Sequence, residues 1–136
     1  MLFLLLLTKT FFQQQRTESL TIHAEQFQHN NGLAVVSLFR AEDDMPKKPF
    51  RKVSGIIMNG KAVIVIDSIP HGEYAAIVFH DENSDGEVDH RWGFPAEPMG
   101  FSNGWRLTLF SGMPSFKKLR FEYSESQCEY TIGIQN

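Results

Sequence analysis

The sequence predicts an all-β protein: a single antiparallel β-sandwich of immunoglobulin-like or prealbumin-like type, carrying one long loop. Three observations predict it. From Leu20 onward, apolar runs of strand length alternate with turn residues. No long stretch repeats its apolar residues at the 3.6-residue spacing of a helix. Asn59-Gly60 separates two such runs, and both residues tolerate the left-handed angles that a type I′ hairpin turn requires.

The chain is the size of one domain. With 136 residues, 42% of them hydrophobic and 12% aromatic, it is long enough to bury roughly 68% of its unfolded surface. Neither a metal nor a disulfide is needed merely to hold such a fold together, so any metal must be explained locally. The one cysteine, Cys128, cannot form an internal disulfide. A net charge of -3 and a pI near 5.9 give no general attraction to phosphate backbones, which excludes nucleic acid as the expected partner.

At the amino terminus, the apolar run Met1 to Leu7 is far short of the ~20 residues that span a bilayer. No membrane span is expected. As a secretory signal the segment lacks a Lys or Arg before the run, and it lacks a small-x-small cleavage site between Thr8 and Glu18. Residues 1–17 are therefore assigned to a hydrophobic tail or degraded signal peptide, and residues 18–136 to the β-sandwich domain.

The strands follow in order. Leu20-Thr21-Ile22-His23-Ala24 alternates as a half-buried strand, and His29-Asn30-Asn31-Gly32 supplies turn residues. Leu33 to Phe39 is apolar on both faces, as a central strand is. Ala41 to Lys52 places three acids and then four bases around two prolines and reads as a solvated loop. Val53 to Met58 and Lys61 to Asp67 flank the hairpin turn, and Tyr74 to Phe79 follows the turn at Pro70-His71-Gly72. Arg106 to Phe110, Lys118 to Tyr123 and Cys128 to Ile134 complete the expected strands.

His80-Asp81-Glu82-Asn83-Ser84-Asp85-Gly86 resembles a calcium loop. In a helix–loop–helix site, oxygen ligands fall at positions 1, 3, 5, 7 and 9, a glycine sits at 6, and a bidentate Glu closes the shell at 12. Counting Asp81 as the first gives Asn83, Asp85, Gly86, the backbone carbonyl of Glu87, and Asp89 in register. The twelfth position is Trp92, which has no oxygen to offer, and no amphipathic helix flanks the loop. A helical calcium sensor is excluded. The same ligands set between strands need a closing carboxylate from elsewhere, and Glu97 is the nearest candidate.

Five of the nine residues from Asp81 to Asp89 are acidic. Two unit charges ~6 Å apart in water repel by only about 0.7 kcal/mol, so an exposed acidic turn with Asp85-Gly86 at its tip is the competing reading. Hard oxygen ligands favour Ca²⁺. His80 and His90 bracket the loop and suit Zn²⁺, but their separation matches no zinc spacing.

The continuation, Arg91 to Gly104, is rich in Gly, Pro and aromatics and is expected to fold back under its own side chains as an Ω-type loop. Trp92, Phe94 and Phe101 are its expected anchors. Left exposed, they and Trp105 form a ligand surface. Gly100-Phe101-Ser102-Asn103-Gly104 matches the G-x-S-x-G pattern of a hydrolase elbow without the strand and helix that motif needs.

The blocks Gly72 to Ile77, His80 to Gly86 with Asp89, Gly93-Phe94-Pro95-Ala96-Glu97, and Gly100-Phe101-Ser102-Asn103 resemble the signature of a bacterial family catalogued as domain of unknown function 2141. Pro114-Ser115-Phe116 with Phe121 is similar to that family's closing motif. The resemblance runs from about Leu20 to Ile134. It implies a small exported β-sandwich and brings no established activity.

The expectation is a non-enzymatic periplasmic or secreted protein. One structural Ca²⁺ held by Asp81, Asn83, Asp85, Glu87, Asp89 and Glu97 orders residues 80–104 for an unknown periplasmic or cell-surface partner. The alternatives are a carbohydrate- or peptide-binding module using the loop aromatics, and a hydrolase using Asp81, Asp89 and Glu97 with His80 or His90.

Overall fold

The structure of the chain is a computed structural model. It describes residues 19–86, 90–91, 94–95 and 97–135, and of 90–91 and 94–95 the backbone only. In chain order the strands are β1 (Leu20–Glu25), β2 (Leu33–Phe39), β3 (Arg51–Ile56), β4 (Ala62–Ile66), β5 (Gly72–Asp81), β6 (His90–Arg91), β7 (Phe94–Pro95), β8 (Met99–Phe101), β9 (Phe121–Tyr123) and β10 (Glu129–Gly133). One sheet runs β10-β1-β4 and a second runs β3-β2-β5-β8, with β9 pairing the start of β5. The chain is nearly all β, and its strand pairs are mostly antiparallel.

Strand alternation decides what is buried. Leu20, Ile22 and Ala24 of β1 and Ala62, Ile64 and Ile66 of β4 point inward, while Val63 and Val65 stay exposed, because successive side chains on a strand project to opposite faces. These inward residues meet Ala34, Val36 and Leu38 of β2 and Tyr74, Ala76 and Val78 of β5 in one cluster. The other face of β5 is covered as well: Ala75 and Ile77 join Phe39, Phe101 and Leu119 in a second cluster. A strand buried on both faces must be apolar throughout, which is why Leu33 to Phe39 and Tyr74 to Phe79 read as continuous runs.

The Asn59-Gly60 turn forms as expected, with φ of 53° and 73° and Met58 bridged to Lys61. The paired hairpin expected around that turn does not form beyond this bridge, because the two strands diverge, β3 into one sheet and β4 into the other.

Three further expectations are corrected. β1 and β10 pair in parallel, Thr21 opposite Glu129 and Glu25 opposite Gly133, so the sheets are not purely antiparallel. A parallel pair needs a long connection, and here nearly the whole chain separates the first strand from the last. Arg106 to Phe110 is not a strand. The Thr108 N–H donates to Ser111 Oγ at 3.0 Å and the Phe110 N–H to Thr108 Oγ1 at 3.3 Å, local bonds that replace a ladder with a turn. Lys118 to Tyr123 begins inside a short helix, α1 (Phe116–Leu119), before β9. Phe116 and Leu119 lie one helical turn apart and both pack into the second cluster.

Candidate metal centre

The loop is built on the end of β5. That strand pairs with β8 in a register that sets Ile77 opposite Phe101 and Phe79 opposite Met99, and the His80 N–H donates to the Pro98 carbonyl at 2.9 Å. Continuing the register places Glu97 opposite Asp81. Antiparallel pairing thus returns a carboxylate from beyond the loop to the residue that opens it. Carboxylate oxygens of Asp81, Asp85 and Glu97 lie within 4.8 Å of one another. Asp81 is fully buried, Glu97 is 6% exposed, and Asp85 faces solvent.

Local hydrogen bonds wind the loop. Asp81 accepts the Gly86 N–H on Oδ2 at 2.7 Å and the Asp85 N–H on Oδ1 at 3.2 Å. Asn83 Oδ1 also accepts the Asp85 N–H, at 3.3 Å. Gly86 has a φ of 77°, the left-handed turn that a glycine takes without strain. The Lys52 ammonium donates to the Gly86 carbonyl from β3, at the edge of the same sheet. Gly32 supports the arrangement from below: its φ is +76°, and a Cβ there would collide with the Asp81 carbonyl oxygen.

This geometry suits a hard cation. Calcium binds oxygens at about 2.3–2.6 Å, so oxygens on opposite sides of one ion lie about 4.6–5.2 Å apart. Three oxygens mutually within 4.8 Å fit inside one such shell. Two unit charges at that separation repel by roughly 1 kcal/mol in water and several-fold more in partly buried surroundings. A divalent ion turns that repulsion into attraction, at the cost of stripping its own water.

Of the residues named from the sequence, Asp81, Asp85 and Glu97 come together, and Asn83 stands beside them on the exposed turn. Glu87, Asp89 and Trp92 lie outside the described residues, and the side chains of Phe94 and His90 do as well. Phe101 is 5% exposed and sits inside the second cluster, so it offers no ligand surface. Half-buried Trp105 stands edge-on to it, centroids 4.8 Å apart and planes at 88°. Ser102 of the G-x-S-x-G match is buried. Its Oγ donates to the Leu119 carbonyl at 2.5 Å and accepts the Ala76 N–H at 2.9 Å, so it ties β5 to α1 and is not presented to a substrate. The sequence marked Gly32 only as a turn residue and Lys52 only as part of a solvated loop, and the contacts of both with the acidic loop were not anticipated. The turn residues before Gly32 carried a signal for the first, and nothing local pointed to the second.

Together these features describe a nearly all-β protein with a three-carboxylate loop at the end of its central strand. The chain belongs to the bacterial family described as uncharacterized protein conserved in bacteria (DUF2141), whose profile matches residues 22–131. No curated protein and no solved structure matches the chain.

Proposed function

We propose that this protein is a non-enzymatic, exported β-sandwich of immunoglobulin-like or prealbumin-like type that binds one structural Ca²⁺. Asp81, Asp85 and Glu97 supply carboxylate oxygens, and Asn83, the Glu87 carbonyl and Asp89 complete the shell. The ion fixes the ends of the 80–104 segment against β5 and so shapes the surface offered to a periplasmic or cell-surface partner. The observation that carries this reading is the arrival of buried Glu97 beside Asp81 and Asp85, where the twelfth loop position fails to provide an oxygen. A plain acidic turn accounts for the amide bonds to Asp81. It does not account for a third carboxylate, that of Glu97, brought in from well beyond the turn.

An extracellular-type site, with a Kd of about 10⁻⁴–10⁻³ M, adds only about 0.4–1.4 kcal/mol at millimolar calcium. The role is therefore to order a loop and not to create the fold. Thermal unfolding of the full chain in EGTA, in millimolar Ca²⁺ and in millimolar Mg²⁺ tests it. Calcium alone is expected to raise Tm by a few degrees, with the rise absent in Asp85→Asn and in Glu97→Gln. Equal melting in all three buffers identifies an acidic turn instead.

A further inference from the structure

His80 and Asp81 are neighbours on a strand, so they project to opposite sides of it. Asp81 faces the carboxylate cluster, and His80 faces the loop that joins β1 to β2. There a ring nitrogen of His29, a ring nitrogen of His80 and a carboxylate oxygen of Glu82 lie within 4.8 Å of one another. We propose that these three side chains form a second metal site, separate from the carboxylate cluster, that takes a borderline divalent cation of the Zn²⁺ type.

The donor set argues for that class. Imidazole nitrogen suits Zn²⁺ and its neighbours, whereas Ca²⁺ takes oxygen. Two nitrogens and one carboxylate leave a fourth tetrahedral position, and His29 and Glu82 are both exposed, so that position opens to water. Donor atoms bound to one tetrahedral zinc are about 3.3–3.4 Å apart, and the exposed pair closes the remaining distance by side-chain rotation.

The buried member is already oriented. His80 is 1% exposed, and its Nε2–H donates to the Asn31 carbonyl at 2.6 Å. That bond leaves the lone pair on Nδ1, the nitrogen we assign to the metal. A backbone carbonyl on the far nitrogen is the support that metal-bound histidines use. Phe27 packs against the ring in a T-shaped contact, centroids 5.2 Å apart at 90°. His29 stands 4.5 Å from the His80 ring centroid, and its Nε2 is 3.4 Å from Glu82 Oε1. Metal at that Nε2 moves the ring proton to Nδ1 and releases the Asn31 N–H, now 3.2 Å from Nδ1, to the solvent that already surrounds it. The sequence hid this site because its two histidines are far apart in the chain and only the fold joins them.

Titration of the full metal-free chain with Zn²⁺ alone, followed by calorimetry, tests the assignment. One equivalent is expected to bind, with affinity reduced at least tenfold in both His29→Ala and Glu82→Gln. Both positions are exposed, so neither variant threatens the fold as His80→Ala would. His23→Ala, which removes another histidine paired to a carboxylate (Glu129, 3.2 Å), is expected to leave that affinity unchanged. Asp85→Asn is expected to do the same, which keeps this result independent of the calcium reading. Absence of zinc uptake by the wild type, or wild-type affinity in either the His29 or the Glu82 variant, overturns the proposal.

Discussion

Gly32 is where a single hydrogen in place of a methyl group decides the geometry of the loop. A Cβ there would collide with the Asp81 carbonyl oxygen and land 2.8 Å from Glu82 Cα, at a φ of +76°. Gly32→Ala is expected to cost about 2 kcal/mol or more, read as a fall in the urea midpoint, since a left-handed non-glycine residue alone costs about 1–3 kcal/mol. Ser102→Ala takes one partner from the Ala76 N–H and another from the Leu119 carbonyl. The expected loss is about 1–3 kcal/mol, seen in the same assay. Asp43 gives a pH-dependent counterpart. Hydrogen bonds from the Arg40 side chain, 2.9 and 3.1 Å, hold its carboxyl below the usual carboxylate range despite an opposing desolvation. A carboxyl depressed in the folded state stabilises above its unfolded pKa of about 3.9, and that contribution disappears as pH falls through the lower folded value. Asp43→Asn is thus expected to be less stable than wild type at pH 7, and the two urea midpoints are expected to converge as pH falls through the depressed folded-state pKa of Asp43.

At the scale of elements, Gly60→Ala tests the one turn whose chemistry the sequence states outright. Its φ of +73° and the 3.1 Å approach of a Cβ to the Phe27 carbonyl predict a loss of about 1–2 kcal/mol in chemical denaturation. β1, β2, β4 and β5 were legible because each is long enough to show either alternation or a two-sided apolar run. β8 was not, since three residues in a Gly- and Pro-rich segment show no period. Gly100 instead sets how closely it approaches β10, where a Cβ would meet the Gly133 carbonyl oxygen at 2.5 Å. α1 escaped for the same reason, with only Phe116 and Leu119 to mark its spacing. The parallel pairing of β1 with β10 joins the two ends of the chain and leaves no local trace.

Across the whole molecule, the opening half of the candidate site was written locally and its closing half was not. Asp81, Asn83, Asp85 and Gly86 fall in a readable order because one tight loop contains them. Glu97 reaches them through the β5–β8 register, and His29 reaches His80 through the β1–β2 connection, which no spacing within a single segment encodes. Amide NMR of the full chain during CaCl₂ titration asks whether the loop and Glu97 hold one calcium ion. Bound calcium is expected to produce saturable shifts of the Asp85 and Gly86 amides, the two that bond Asp81, with a midpoint of about 10⁻⁴–10⁻³ M and loss of saturation in Glu97→Gln. Amides that stay in place through about 10 mM calcium, where such a site is about nine-tenths filled or more, or that saturate equally in the Glu97→Gln variant, would contradict it.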